Sequence, residues 1–267
     1  MKVSIITVCY NAADTIAGTI RSVRDQDFPN IEHLIIDGAS TDATADIVAN
    51  HAWPSLKWFS EPDGGLYDAM NKGVTVASGD VIGFLNADDF FATDTAISSI
   101  VDALQDGDAD FCYGNLAIVK RDNTNAVTRF YDARGFRKWH IHIGDIPPHP
   151  TVYARVGPLR EWGEFNTRFR IAADFDLISR ALFHYNAKSA FIPKTLVIQR
   201  DGGVSTNGLA STVTINREIV SSLSQNHIFS LPFLPWFRYF YKVLQFVRRP
   251  RDLGAVETKG GAGVGTI

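Results

Sequence analysis

The first hundred residues alternate between short apolar, β-branched runs and longer segments with helical periodicity. Four runs predict strands: KVSIITVCY, IEHLIIDG, LKWFSEPDGG and DVIGFLNADD. Four intervening segments predict helices: the segment with Ile16, Ile20 and Val23 at i, i+4 and i+7, then STDATADIVANH, LYDAMNKGVTVAS and TAISSIVDALQDG. This alternation predicts a parallel sheet with helices on both faces.

The pattern is less regular after residue 110. Three further runs predict strands: DFCYGNLAIVK, AVTRFYD and SAFIPKTLVIQRDGG. The segment IHIGDIPPHPTVYARVG predicts a loop leading into a strand, with His140 and His142 alternating in a strand-like run. FRIAADFDLISRALFHY and residues 211–224 predict helices, the first with Phe175, Ile178 and Leu182 towards a core.

The C-terminal segment FLPWFRYFYKVLQFVRRPR predicts an amphipathic helix. At 100° per residue, four polar residues fall within one stripe about 60° wide: Arg238, Lys242, Gln245 and Arg249. Apolar residues cover the opposite side: Phe240, Val243, Leu244 and Val247. Two interpretations carry equal weight, a helix lying in a membrane interface and a terminal helix packed on the core. Residues 254–267 predict a disordered tail.

The composition is that of an ordinary globular protein, with 267 residues of which 45% are hydrophobic and 21% charged. A net charge of −3 does not suggest a nucleic-acid-binding surface. The chain has two cysteines, Cys9 and Cys112, which argues against a disulfide framework and a Cys-rich metal site. The start becomes polar too soon for a signal peptide, and no apolar run reaches the length of a spanning helix. We therefore expect a cytoplasmic protein, free or peripheral on the inner face of the cytoplasmic membrane.

Polar residues follow each of the first four predicted strands: Asn11, Asp37, Asp63 and the pair Asp88 and Asp89. Ligands of open α/β sheets bind outside the carboxyl ends of the strands, so these residues predict a binding cleft. The adjacent carboxylates have three plausible uses. They could hold a divalent cation, share a proton as an acid/base pair, or cap the helix that follows.

Three segments together resemble the nucleotide-sugar glycosyltransferases of family 2, which have the GT-A fold: SIITVCYNAADTIAGTIRSVRDQD, EHLIIDGASTDAT and SGDVIGFLNADD. They match the family's opening strand and Asn, its D-G-x-S-x-D turn and its D-x-D-type motif. The resemblance implies an α/β fold with an open, mostly parallel sheet flanked by helices. It implies one domain over 1–230, with a nucleotide-sugar half (1–109), an acceptor half (110–204) and a helical part (205–230). An amphipathic helix over 231–253 follows.

The resemblance assigns the donor pocket. Asp37 would accept a hydrogen bond from a base with an imide N–H, namely uracil, thymine or guanine, although it could instead be a turn-forming Asp before Gly38. Thr7 and Asn11 would line the same pocket. Asn86 takes the first position of the D-x-D motif, where it could bind ribose, so Mg²⁺ or Mn²⁺ falls to Asp88 or Asp89.

The segment EPDGGLYDAMNKG resembles one in which many relatives carry Ala-Arg-Asn-x-Gly. Asn71 and Gly73 match, but Met70 stands at the Arg position. Lys72 or the loop Gly64–Gly65 could supply the missing contact.

The resemblance also implies a catalytic base at the start of a helix. Asp174 in FRIAADFDLISR matches this carboxylate, with Ala173 where the family has Glu, and Asp176 is the alternative. Asp174 could instead cap the helix. His149 in PPHPTVY could bind the diphosphate or the metal, or be a structural loop histidine.

The function implied is an inverting, metal-dependent transfer of one sugar from a nucleotide-sugar donor, UDP-linked by preference. The acceptor would be a saccharide or a lipid-linked saccharide in exopolysaccharide or cell-envelope assembly, with membrane contact through 233–251. A non-catalytic sugar-nucleotide-binding relative is the alternative. A Rossmann dehydrogenase lacks support because no G-x-G-x-x-G follows the first strand, and a nucleotidylyltransferase would need a Gly-rich basic loop there. The Gln-x-x-Arg-Trp motif of processive synthases is absent.

Overall fold

The computed structural model describes residues 1–105, 107–202, 208–231, 233–247 and 250. Its strands are β1 (Val3–Cys9), β2 (Ile31–Asp37), β3 (Leu56–Ser60), β4 (Val81–Phe84), β5 (Phe90–Phe91), β6 (Phe111–Lys120), β7 (Asn123–Tyr131), β8 (Tyr153–Arg155) and β9 (Ser189–Arg200). Its α-helices are α1 (Ile16–Arg24), α2 (Thr44–Asn50), α3 (Leu66–Val76), α4 (Ala96–Gln105), α5 (Val156–Trp162), α6 (Ala173–Phe183), α7 (Gly208–Gln225) and α8 (Arg238–Val247).

The strands form one sheet in the order β3-β2-β1-β4-β8-β6-β9-β5, with β7 paired to β6. The first four strands are mutually parallel, as the sequence predicts. β8 runs antiparallel to both β4 and β6 and so joins the two halves of the sheet.

The parallel register brings the predicted polar strand ends to one edge. Cys9 pairs with Asp37, and Asp37 pairs with Ser60, so β1, β2 and β3 end side by side. Phe84, the last residue of β4, pairs with Ile6 of β1. The predicted meeting of these strand ends at one edge of the sheet is confirmed.

Both faces of the parallel strands are covered because alternate residues point to opposite layers. Ile6 and Val8 of β1 belong to a core shared with α3, α5, α6 and α7. Val3 and Ile5 belong to a core shared with α1 and α4. The predicted inward face of α6 is confirmed, because Phe175, Ile178 and Leu182 are all buried.

The segment around His140 and His142 is not strand-like. Residues Lys138–Ile143 form a 3₁₀ helix that ends at Gly144, whose left-handed φ of 74° closes it. A second 3₁₀ turn, His149–Thr151, precedes β8, so the loop leading into a strand is confirmed.

The C-terminal helix packs on the protein through two residues of the predicted polar stripe, Arg238 and Gln245. Arg238 is 3% exposed and donates to the Gly144 carbonyl at 3.0 Å. Gln245 is 8% exposed and accepts a hydrogen bond from Arg129 at 2.6 Å. Val247, on the opposite side, is 75% exposed. Among the described helices, none is long and apolar enough to cross a membrane. The predicted tail lies outside the described residues.

Candidate active site

The ends of β1 and β2 are joined by a polar turn. The Asn11 side chain accepts from the Thr41 backbone N–H at 2.9 Å, and the Asn11 N–H donates to the Ser40 hydroxyl at 2.8 Å. Asn11 and Ala39 both have left-handed φ values, 49° and 61°. A non-glycine residue keeps such a conformation only where the surroundings fix it, so this turn is tightly determined.

The carboxylate of Asp37 is buried and fully engaged within the protein. It accepts from the Ser40 N–H at 3.0 Å, from the Ser40 hydroxyl, and from the Ser60 hydroxyl at 2.6 Å. The Cys9 thiol lies 3.6 Å from the same carboxylate. Asp37 therefore ties the ends of β1, β2 and β3 together.

Asp63 lies directly over the end of β2. A Cβ atom added to Gly38 would be 2.6 Å from Oδ2 of Asp63, so a larger residue at position 38 would displace this carboxylate. Oδ1 of Asp63 accepts from the Gly65 N–H at 2.8 Å, which fixes the side chain. Among the described residues Oδ2 has no hydrogen-bond donor, and the side chain is half-buried at the cleft edge.

The two adjacent carboxylates after β4 occupy different environments. Asp89 is 0% exposed, and its Oδ2 accepts from the Asn86 amide at 3.1 Å. Its Oδ1 is buried without a hydrogen-bond partner among the described residues. Burial and the neighbouring charge of Asp88 raise the pKa of Asp89 well above its usual range. Asp88 is only half-buried, so it is the more accessible of the two carboxylates.

An arginine missed by the sequence analysis lies beside this pair. The Arg200 guanidinium, at the end of β9, donates to the Asp88 carbonyl and lies 4.8 Å above the Phe90 ring. The sequence offers no signal for this contact because Arg200 is more than a hundred residues from Asp88.

Within the described part of the chain, no three His, Cys, Asp or Glu side chains converge as a metal site. The helix-capping alternative for Asp88 and Asp89 is wrong. α4 begins only at Ala96, and β5 lies between it and the two carboxylates.

Asp174 lies at the start of α6, and its side chain is half-buried. Its Oδ1 accepts from the Phe175 N–H at 2.8 Å and lies 3.4 Å from the Tyr67 hydroxyl. Burial raises the pKa of Asp174 above its ordinary value, against the opposing effects of His149 and the Phe175 N–H. Ala172 is the N-cap residue of α6, so Asp174 does not cap this helix.

His149 connects the surroundings of Asp174 to the end of β4. Its ring stacks on Phe84 at a centroid distance of 5.3 Å and meets Phe165 edge-on at 5.6 Å. Burial lowers the pKa of His149, and the charge of Asp174 opposes this effect. Since Phe84 comes two residues before Asn86, this aromatic group places Asp174 close to the motif strand.

The other residues predicted to line the nucleotide-sugar pocket contact other parts of the protein. Thr7 is buried and pairs with His33 at 3.0 Å. The Asn71 amide makes two hydrogen bonds to the Phe165 backbone, at 2.9 and 3.0 Å. Lys72 forms an ion pair with Glu61 at 2.9 Å, and Met70 is buried in the core.

The loop Gly64–Gly65 uses its backbone amides internally. The Gly64 N–H donates to Asp68 at 2.9 Å, and the Gly65 N–H donates to Asp63. Both amides of this loop therefore have partners within the protein.

Asp176 points away from the Asp174 pocket. Its carboxylate forms an ion pair with Arg180 at 3.0 Å and accepts from Ser222 and Asn226, each at 2.8 Å. It therefore joins α6 to α7. The same α7 face carries Glu218, which the sequence analysis missed and which accepts three backbone N–H groups just before α6.

Comparison with known proteins gives the same family as the sequence motifs. Residues 4–157 match the family model described as Glycosyl transferase family 2. An uncharacterized glycosyltransferase of Mycobacterium tuberculosis is 33% identical over 183 residues, which are 67% of this chain and 68% of the relative. A PGL/p-HBAD biosynthesis glycosyltransferase of the same species is 28% identical over 225 residues, 82% of this chain and 83% of the relative.

Two solved structures share the fold. S. aureus TarS 1-349 in complex with UDP-GlcNAc aligns with a TM-score of 0.63 and 20% identity, over 84% of this chain and 66% of that chain. The mannosyltransferase PcManGT from Pyrobaculum calidifontis, in complex with GDP-Man and Mn2+, aligns with a TM-score of 0.63 and 19% identity, over 89% of this chain and 68% of that chain. The predicted GT-A sheet is confirmed by these alignments. The chain belongs to glycosyl transferase family 2 and is a glycosyltransferase with the GT-A fold.

Proposed function

We propose that the protein transfers a single sugar from a UDP-sugar to an acceptor hydroxyl, with inversion at the anomeric carbon. The observation that carries this proposal is the placement of two unlike carboxylates, Asp88 after β4 and Asp174 at the start of α6, which His149 connects to Phe84 of β4. Asp88 is half-buried after β4, whereas Asp174, also half-buried, lies beside His149 and Tyr67, where burial raises its pKa. A carboxylate with a raised pKa suits a general base, and an accessible one suits a cation.

Asp174 acts as the base in this proposal. It takes the proton of the acceptor hydroxyl while that oxygen attacks the anomeric carbon and the bond to the diphosphate breaks. A raised pKa makes the carboxylate a stronger base than an exposed Asp. The Phe175 N–H holds one of its oxygens, which leaves the other for the acceptor.

The residues present fit a divalent cation that is shared with the donor. Asp88 offers one accessible carboxylate and Asn86 one amide oxygen, while Asp89 is buried beneath them. Mg²⁺ and related ions commonly bind through one or two carboxylates together with substrate phosphates. Mg²⁺ or Mn²⁺ bound there would neutralise charge on the leaving diphosphate. Of the two motif carboxylates, we assign this role to Asp88.

We assign recognition of the nucleotide base to Asp63, together with the strand ends that Asp37 holds in place. The Asp37 carboxylate is occupied by Ser40 and Ser60, whereas Oδ2 of Asp63 projects over Gly38 at the cleft edge. A carboxylate oxygen can only accept a hydrogen bond, so it suits the imide N–H of uracil.

Asp63→Ala is expected to weaken UDP binding about tenfold or more, because a charge-assisted hydrogen bond is worth about 1.5–3 kcal/mol. Isothermal titration calorimetry with UDP measures the effect. Glu61→Gln, which removes a nearby exposed carboxylate, is the matched control and should bind like the wild type. Equal UDP affinity in Asp63→Ala and the wild type would return the imide contact to Asp37.

A lipid-linked acceptor is supported by the C-terminal surface. Phe233, Trp236, Phe237 and Val247 are strongly exposed, and α8 is anchored to the protein through Arg238 and Gln245. Anchored polar groups and outward aromatic side chains suit insertion into a lipid interface. The mycobacterial relative in PGL/p-HBAD biosynthesis is consistent with an envelope acceptor.

Replacing Phe233, Trp236 and Phe237 together by serine should reduce binding to vesicles containing anionic lipid about tenfold or more, because each buried aromatic side chain contributes about 1.5–3 kcal/mol. Co-sedimentation with vesicles measures it. The control replaces Trp139 and Tyr185, two exposed aromatic residues outside this segment. Equal binding of the triple variant and the wild type would remove the membrane proposal.

A thermal-shift panel tests the proposed donor. UDP-, GDP- and dTDP-sugars are compared with and without Mn²⁺, and UDP-sugars with Mn²⁺ should stabilise the protein most. A ligand at a hundredfold excess over its Kd stabilises by about 2.7 kcal/mol. A larger shift with GDP- or dTDP-sugars, or no shift with any of the three, would contradict the assignment.

A further inference from the structure

The loop before α6, residues 170–172, is held by hydrogen bonds to the carboxylate of Glu218. Oε1 of Glu218 accepts from the Arg170 N–H at 2.8 Å, and Oε2 accepts from the Ile171 and Ala172 N–H groups at 2.9 Å each. Asp174 follows two residues after this loop. Glu218 thus fixes the backbone immediately before the proposed base.

The same loop is held from the opposite side by Tyr67. Its hydroxyl donates to the Ile171 carbonyl at 2.6 Å. Burial raises the pKa of Tyr67 well above its ordinary value, and the charges of Asp174 and Glu218 add to the effect. Tyr67 is therefore a neutral donor, and residue 171 is clamped through both its N–H and its carbonyl group.

A second contact holds α6 just after Asp174. Ser222, on α7, and Asn226, directly after its last residue, donate to Asp176, and they follow Glu218 at intervals of four residues. Residues four apart share one face of a helix. Residues on one side of α7 and at its end therefore hydrogen-bond to the chain both before and after Asp174, which leaves Asp174 little freedom to shift.

We propose that Glu218 is a positioning residue that holds Asp174 in the position where it acts as a base. The proposal rests on the proposed function only in the role given to Asp174. Its physical basis is that a carboxylate accepting three N–H groups fixes a loop more strongly than any single neutral hydrogen bond. Misplacement of a catalytic group by about 1 Å can cost about 100-fold in rate.

The test compares Glu218→Ala and Glu218→Gln with the wild type. The control is Arg217→Gln, the adjacent exposed residue on the same helix. Hydrogen–deuterium exchange of the peptide containing residues 170–172 should accelerate about tenfold or more in Glu218→Ala. Glu218→Gln keeps the length and one accepting oxygen, so its exchange should be intermediate. Arg217→Gln should exchange like the wild type.

A spectroscopic titration separates positioning from a general loss of stability. The Asp174 carboxyl, followed by ¹³C NMR, is surrounded by His149, Tyr67 and the Phe175 N–H. In the wild type it should titrate above an ordinary aspartate, and in Glu218→Ala its midpoint should fall towards the ordinary value. Binding of UDP should keep one site per chain with unchanged affinity.

An unchanged Asp174 titration and unchanged exchange at 170–172 in folded Glu218→Ala would overturn the proposal. If Glu218→Ala does not fold, hydrogen exchange at residues 170–172 and the Asp174 titration are measured in Glu218→Gln instead. Wild-type values of both in Glu218→Gln would also overturn the proposal. The outcome is distinct from a failure of the proposed function. That failure would appear as a wild-type protein that binds no nucleotide sugar, whatever the state of the loop.

Discussion

Asp174→Asn should lower sugar transfer about 10²- to 10⁴-fold, the usual contribution of a general base, while donor binding stays close to that of the wild type. The amide has the shape of the carboxylate and can still accept from the Phe175 N–H, so the pocket should survive. The amide cannot take the acceptor proton. Release of UDP in the presence of acceptor measures transfer, and calorimetry with UDP measures binding.

Glu164→Gln is the control for Asp174→Asn, because Glu164 is an exposed carboxylate near the pocket residue Phe165. It should transfer like the wild type. Full transfer by Asp174→Asn would refute the base assignment. If the wild-type protein binds the nucleotide sugar but transfers no sugar, the result would instead favour a non-catalytic sugar-nucleotide-binding relative.

The pH dependence follows from the raised pKa of Asp174. A base works when it is deprotonated, so activity should rise with pH through this raised pKa, and the acid limb should lie above about pH 4. The sign for stability is opposite. A carboxyl group with a raised folded-state pKa favours folding below its unfolded pKa, and that contribution is lost as pH rises through the folded value. An acid limb at an ordinary aspartate pKa would contradict the proposed base.

Asp88→Asn should remove the effect of Mn²⁺ on UDP affinity and lower transfer about 100-fold or more. The physical reason is that Asp88 is the more accessible of the two motif carboxylates, and an amide is a weaker ligand for a hard cation. Titrations of UDP with and without Mn²⁺ give the change directly.

Asp89→Asn is the matched control for Asp88→Asn. Asp89 is buried, and an amide there keeps an oxygen to accept from Asn86. The Mn²⁺ effect on UDP affinity should persist in this variant. The reverse outcome, with Mn²⁺ dependence lost in Asp89→Asn and kept in Asp88→Asn, would give the metal to Asp89.

The sequence predicts the parallel half of the sheet because its signals are local. Apolar runs such as Val3–Cys9 and Ile31–Asp37 set the strands, and the polar residue after each strand marks its carboxyl end. Parallel pairing then brings these residues to one edge. No single apolar run could show that the hydroxyl of Ser60, on the neighbouring strand, donates a hydrogen bond to the Asp37 carboxylate.

The sequence could not show two kinds of feature: which of two adjacent residues is exposed, and which residues far apart in the chain are in contact. Asp88 and Asp89 differ in exposure because neighbouring residues point in different directions, and the pattern does not say which one meets the cleft. Periodicity separates the two sides of α8, but only packing shows that Arg238 faces the protein. Glu218 contacts backbone N–H groups nearly fifty residues away, and such contacts leave no motif.

A crystal structure with UDP and Mn²⁺, measured at the manganese absorption edge, tests the central claim most directly. The account predicts one anomalous peak between the diphosphate and the carboxylate of Asp88, with uracil next to Asp63 and the anomeric side of the diphosphate towards Asp174. UDP bound away from the carboxyl ends of β1 to β4, or a manganese peak with no contact to Asp88, would contradict it.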